Sequence, residues 1–357
     1  MHWRRSRFGL LSAVVVTGGL LLGGIATAQA QSAGRLQVFF IDVEGGQATL
    51  FVEPSGESLL IDTGWPDNKG RDADRIVATA KQAGVKKLDY VLITHYHEDH
   101  VGGLPQLLDR ISVGTLIDHG PNRESTEPAT EQGWEAYQKI LANGHIHHIV
   151  AKPGDVLPFH DMKATVVSAD GKLIDKPLPG AGGTNSYCAQ SEKRPPDQTE
   201  NARSLGIEIN YEKARLLDLG DLTWDKEMEL MCPVNKLGHI DALIVSHHGW
   251  YQSSSPALVD AITPEIAIMD NGETKGGSTP TLVTFSKTPG LKQLWQVHYS
   301  DEGGQAHNVP AKYIANLKGP SGNADDAGKG LKLTIAGGKM TVLNERTGYS
   351  ESYALQH

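Results

Sequence analysis

The chain has 357 residues, 39 % of them hydrophobic, and a formal net charge of -9, so it can bury a large core. With an acidic balance and no block of lysine or arginine, a stable grip on long nucleic acid is disfavoured. No apolar run of about 18 residues follows residue 30, which argues against a membrane span in the mature chain.

At the start, Arg4, Arg5 and Arg7 precede an apolar stretch over 8–25, and Ala28-Gln29-Ala30 is a small-x-small cleavage site. Residues 1–30 therefore read as a signal peptide, and 31–357 as one exported domain destined for periplasm or medium. In that oxidising setting Cys188 and Cys232 are expected to form one disulfide, the alternative being that both stay free.

Residues 36–42 (LQVFFID) and 48–53 (ATLFVE) flank Gly45-Gly46 and predict a strand pair; 58–62 predicts a third strand, closed by Thr63-Gly64. Helical spacing covers 72–82 until Gly84, and 88–94 (LDYVLIT) predicts a buried strand. Further helices are predicted at 104–108 and 134–142, and further strands at 113–117, 146–151, 164–168, 205–211, 214–219, 242–246 and 266–270. Several strands follow one another directly, which favours two packed sheets covered by helices over a parallel doubly wound sheet. Residues 169–203 hold four prolines and no periodicity, and predict a structureless insertion that serves as a lid or cleft wall.

The densest chemistry lies at 94–103, THYHEDHVGG, directly after a predicted strand. His95, His97, Asp99 and His100 are imidazole and carboxylate donors of the kind zinc takes, in sufficient number for two ions. The alternative, a charged loop that happens to contain three histidines, does not account for ligands spaced directly after a strand. His247-His248-Gly249 ends the strand at 242–246; adjacent residues of an extended chain point opposite ways, so one histidine binds metal and the other faces substrate or a structural partner.

With FFIDVEGGQATLF, LLIDTG, LLDLGDLTW and LIVSHHGW added to the histidine run, the chain resembles the metallo-β-lactamase fold superfamily. Within it the motifs are similar to the branch of competence DNA-uptake proteins and phosphorylcholine esterases. The resemblance implies an α/β fold of four layers, an αββα sandwich, with two Zn²⁺ ions at the sheet edge. It implies His95 and His97 as ligands of the first ion, Asp99 and His100 as ligands of the second, Asp221 as the bridge, and His248 as a further ligand. Asp218 is then strand-borne, and Asp62 supports the ligands rather than binding metal. It favours His247 as the substrate-facing member of its pair, and the reverse order stays open. Two departures stand out: the segment TENARSLGIEI lacks a histidine many members carry, leaving Asn201 or Ser204 near the first ion through water, and NGETKGGSTP replaces a histidine-rich turn of the DNA-uptake branch.

The implied function is an exported dinuclear zinc hydrolase acting on a small-molecule phosphoester or phosphodiester, with metal-activated hydroxide as nucleophile and Asp99 or Asp221 passing a proton to the leaving group. Hydrolysis of a β-lactam or lactone is the alternative, and a non-catalytic metal-containing binding module the alternative of another class. His298 and His307, flanking a glycine-rich loop, are further candidates for substrate contact. His119, His145, His147, His148 and His160 read as surface or packing residues.

Overall fold

From residue 36 the side chains alternate between two interiors: Leu36, Val38 and Phe40 join one buried cluster, Phe39 and Ile41 another. A strand apolar on both faces needs cover on both, so it belongs in the middle of a layered structure. The computed structural model describes residues 34–66, 68–318 and 328–355; the signal peptide read at 1–30 lies outside them.

The strands are β1 (Leu36–Phe40), β2 (Thr49–Val52), β3 (Ser58–Ile61), β4 (Leu88–Leu92), β5 (Val113–Asp118), β6 (His147–Val150), β7 (Lys163–Ala169), β8 (Lys172–Leu173), β9 (Gly206–Tyr211), β10 (Ala214–Asp218), β11 (Ala242–Ile244), β12 (Ile266–Met269), β13 (Gln293–His298), β14 (Ile314–Asn316), β15 (Leu331–Ala336), β16 (Lys339–Asn344) and β17 (Ser350–Ala354). The helices are α1 (Arg71–Gln82), α2 (Glu98–Val101), α3 (Leu104–Leu108), α4 (Pro128–Ala142), α5 (Trp224–Met231), α6 (Pro256–Ile262), α7 (Thr279–Lys287) and α8 (Gly304–His307).

One nine-stranded sheet runs β17-β16-β15-β1-β2-β3-β4-β5-β6, and an eight-stranded sheet runs β14-β13-β12-β11-β10-β9-β7-β8. Their facing sides share a core that includes Phe40, Phe51, Leu216, Ile244, Ile268 and Trp295. On the outer side of the first sheet, Ala73, Ile76 and Ala80 of α1 and Leu104 and Leu107 of α3 pack on Leu50 and Leu60. On the outer side of the second, Leu230 of α5, Leu258 of α6 and Phe285 of α7 pack on Leu217 and Leu243. The order is helices, sheet, sheet, helices, an α/β sandwich of four layers.

The insertion at 169–203 departs from expectation. It is not structureless: it contains β8 and two short 3-10 turns, Ser186–Ala189 and Asn201–Arg203. A disulfide between Cys188 and Cys232, with Cα atoms 5.8 Å apart, ties its middle to the end of α5. The amide of Asn185 adds hydrogen bonds to the carbonyls of Met231 (3.0 Å) and Ala257 (2.8 Å). Tertiary bonding replaces the periodicity that the segment lacks. The five strands beyond residue 290 were absent from the sequence reading; β16 alternates buried and half-exposed residues, a weaker signal than the wholly buried β1.

Candidate metal centre

Each candidate ligand stands just beyond the carboxyl end of a strand. Asp62 follows β3, the run from His95 to His100 follows β4, Asp221 follows β10, His247 and His248 follow β11, and Asp270 follows β12. Because β3 and β4 run parallel in one sheet and β10, β11 and β12 in the other, these ends gather at one rim.

Three of the residues hold left-handed backbone: Asp62 (φ 59°), His247 (φ 56°) and His248 (φ 52°). Such conformations cost non-glycine residues about 1–3 kcal/mol each and collect at functional sites. The histidine pair is therefore not extended, as its sequence position implied, but sits in the tight turn Ser246–Gly249. That turn is held by His247 N–H on the Gly220 carbonyl (3.1 Å) and Gly277 N–H on the His248 carbonyl (2.8 Å). Gly276 (φ 77°) passes so close to His248 that a Cβ would overlap its carbonyl oxygen.

Asp99, His100, Asp221 and His248 offer four buried donor atoms that converge. His100 Nε2 lies 3.3 Å from Asp99 Oδ2 and 3.3 Å from Asp221 Oδ2; His248 Nε2 lies 3.2 Å from Asp99 Oδ2 and 3.5 Å from Asp221 Oδ1. The two Nε2 atoms are 3.1 Å apart. Ligands bound tetrahedrally at about 2.0–2.1 Å are separated by about 3.3 Å, so the donor set has the size of a zinc-type coordination shell. His95 Nε2 and Asp221 Oδ1 are buried without a hydrogen-bond partner, as ligand atoms facing an ion would be.

Electrostatics match. Burial alone would raise the carboxyl of Asp99, but the charges of Lys275 and His100 outweigh it and hold the group well below the carboxylate range. Asp221 is held low against burial by His100, His247 and His248. Burial opposes charge on His100, yet Asp221, Asp99 and Asp62 raise its imidazole well above the usual range; Asp221 and Asp270 do the same for His248. His247, by contrast, is pushed down to about 4, chiefly by burial.

The remaining candidates form a looser second group. His95 Nε2 stands 4.0 Å from Asp221 Oδ2, and His247 Nε2 stands 3.4 Å from the same oxygen. The His95 and His97 rings are 4.7 Å apart, edge to face. Asn201 places its amide nitrogen 3.5 Å from His247 Nε2.

Three histidines also have a carboxylate on their far side: Asp62 on His100 Nδ1 (2.7 Å), Asp270 on His248 Nδ1 (3.4 Å) and Glu124 on His97 Nε2 (3.0 Å). Outer carboxylates of this kind set the tautomer and orientation of metal-binding imidazoles. Asp62 also accepts from Thr94 N–H (2.8 Å) and Thr94 Oγ1 (2.7 Å), anchoring the start of the histidine run. Asp218 stays on β10, where it accepts from the Gln47 amide (2.6 Å) and Gly220 N–H (2.9 Å) and shapes the turn that presents Asp221.

Sequence reading missed Glu124, Asp270 and Lys275. The Lys275 ammonium contacts Asp99 Oδ2 and lies 4.6 Å from the centre of the Trp65 ring. With His247, His248, Trp250 and Gly276, Lys275 lines a cavity of about 210 Å³. One signal was available: a single cation in the glycine-rich loop that follows a rim strand.

One other histidine needs correction. His298, a candidate for substrate contact, is fully buried and bonds Asp42 (2.7 Å), the same carboxylate that Arg75 pairs with at 2.9 Å. His119 is buried against Glu200 (3.1 Å). His307 is exposed and lines a groove with Phe285 and Leu294. His145 and His147 are exposed, the latter on the edge strand β6; His148, beside it, bonds Asp118 (2.7 Å), and exposed His160 pairs with Asp161 (3.1 Å).

A family model described as the metallo-beta-lactamase superfamily matches residues 42–190. The chain is similar to recombination protein 2 of Haemophilus influenzae, 26 % identical over 66 % of this chain and 24 % of that protein. It is similar to competence protein ComA of Neisseria gonorrhoeae, 23 % identical over 73 % and 31 % respectively. A hydroxyacylglutathione hydrolase of Stenotrophomonas maltophilia is 30 % identical over 29 % of this chain and 37 % of that protein. The chain thus spans at most 37 % of the length of these relatives. Residues 42–190 thus form a metallo-β-lactamase superfamily domain, and among the relatives that the chain matches over the greater part of its own length are recombination and competence proteins.

Proposed function

We propose that the protein is an exported metal-dependent hydrolase of small phosphoesters or phosphodiesters. The observation that carries this reading is the convergence of Asp99, His100, Asp221 and His248 beside a cavity that a cation, Lys275, helps to line. The donor types suit zinc: those four residues would hold one ion, and His95, His97 and Asp221, with Asn201 nearby, a second. Ions bound there supply Lewis acidity, polarising a phosphoryl oxygen and bringing the pKa of water down towards about 7.

The chain's own groups do the rest. Lys275 offers an ammonium to an anionic substrate at the cavity wall. His247, neutral at ordinary pH because burial pushes it to about 4, offers an uncharged ring nitrogen as a hydrogen-bond partner at the cavity wall. Asp99, held ionised, serves as a ligand in preference to a proton donor.

Export is supported by the signal sequence read at 1–30 and by the Cys188–Cys232 disulfide, a bond favoured in oxidising compartments. Among the described residues no helix is long and apolar enough to cross a membrane.

The test is metal analysis followed by turnover of bis-p-nitrophenyl phosphate, nitrocefin and an acyl-homoserine lactone, with wild type and His97→Ala. Metal-dependent cleavage of the phosphodiester, lost in the variant, is the expected result. Turnover of nitrocefin or the lactone alone would replace the phosphoester reading, and bound metal without turnover of any substrate would favour a binding module.

A further inference from the structure

The two halves of the centre are built to different standards. The partners of His100 and His248, Asp62 and Asp270, stand at the ends of buried strands, whereas the partner of His97 comes from a loop. His97 is also the most open of the candidate ligands, with 21 % of its side chain exposed.

The loop that carries Glu124 lies between β5 and α4, and it is clamped to the end of the 169–203 insertion. Glu124 Oε2 accepts the Glu200 N–H (2.8 Å) while it faces His97 Nε2 (3.0 Å). In return Glu200 Oε1 accepts the Arg123 N–H (2.8 Å), and its other oxygen lies 3.1 Å from buried His119. The residue after Glu200 is Asn201, whose amide nitrogen approaches His247 and whose oxygen is buried without a partner.

We propose that Glu124 is the positioning residue that assembles the first-ion site. Its carboxylate draws the His97 proton to Nε2 and leaves the Nδ1 lone pair for an ion. Through Glu200 it also sets the place of Asn201, where the chain lacks a histidine. This inference rests on reading the centre as dinuclear. It makes the first ion the weaker one and makes its binding conditional on a loop-to-loop contact.

A glutamine separates charge from shape. In Glu124→Gln the amide oxygen, in the place of Oε2, keeps the Glu200 N–H but is a neutral and weaker acceptor, so the imidazole proton is no longer held on His97 Nε2. Cobalt(II) titration of the full chain, followed by visible absorption and by competition with a chelator, reads this without any substrate. Wild type takes two equivalents, one tighter than the other. Glu124→Gln and Glu124→Ala lower the affinity of the weaker equivalent by about 10–100-fold. They also remove its share of the absorption and leave the tighter equivalent unchanged, and Glu124→Gln, which keeps an acceptor for the Glu200 N–H, leaves the thermal midpoint of the metal-free protein unchanged. Wild-type affinity for both ions in Glu124→Gln, equal weakening of both, or a single equivalent in wild type overturns the proposal. Two-ion binding with no turnover would sink the hydrolase reading and leave this one standing.

Discussion

His100 Nε2 and His248 Nε2 lie 3.1 Å apart, although 148 positions separate the two residues in the chain. Two imidazole nitrogens this close, inside a buried ring of carboxylates, gain most from a shared cation. His248→Ala should therefore weaken zinc binding by more than the about 10–100-fold that loss of an outer partner costs, and Asp221→Ala should weaken it further because its carboxylate touches both groups of donors. Chelator competition measures both; a His248→Ala protein with unchanged affinity would remove His248 from the ligand set.

Metal affinity should rise with pH. In the metal-free protein the imidazoles of His100 and His248 have raised pKa values, so an ion competes with protons below those values. The affinity gains about tenfold per pH unit for each proton displaced. Zinc titrations between pH 5.5 and 8 with proton-release measurement check the slope, and a flat profile would contradict it.

Lys275→Met has two opposed effects. Loss of one charge-assisted contact raises KM for an anionic phosphodiester by about tenfold or more. Metal binding becomes tighter, because the ammonium no longer competes for the Asp99 carboxylate. Kinetics beside a zinc titration separate the two, and a variant that loses both affinities would mark Lys275 as merely structural.

Away from the rim, burial pushes the Glu227 carboxyl up to about 7, against the pull of hydrogen bonds from Ser255 and Ser254 N–H. A carboxyl raised from 4.5 binds more protons folded than unfolded, so its effect on stability worsens as pH rises from 4.5 to 7. Glu227→Gln, which cannot titrate, should gain about 3 kcal/mol on wild type across that window. Urea melts at pH 4.5 and 8 give the difference; a constant offset would count against a raised carboxyl.

The Cys188–Cys232 disulfide closes a loop of sequence separation 44. Chain-entropy arguments put its contribution at about 4 kcal/mol, and the double variant Cys188→Ser/Cys232→Ser should lose about 2–4 kcal/mol in denaturant melts. The insertion should then become the first site of proteolytic nicking.

Much of the fold was legible because its inner strands are short apolar runs bounded by glycine turns, as at 36–42, 58–62 and 88–94. The C-terminal hairpins β15 to β17 were not, since half of their residues face outward and the apolar signal is diluted. The insertion looked structureless because its order comes from Asn185 and a disulfide rather than from periodicity.

The sequence by itself determined the donor types and their place after strands, because the spacing of His95, His97, Asp99 and His100 along one turn is a local property. It equally determined the layers, through the alternation of Leu36, Val38 and Phe40 with Phe39 and Ile41. Only the tertiary structure decided which distant groups complete the centre: that Glu124 backs His97, that Asp270 backs His248, that Lys275 reaches Asp99, and that His298 is buried against Asp42 instead of facing the cavity. The reason is physical. Hydrogen bonds and ion pairs depend on which loops the two sheets bring to a common rim, and no local pattern in the chain encodes that meeting.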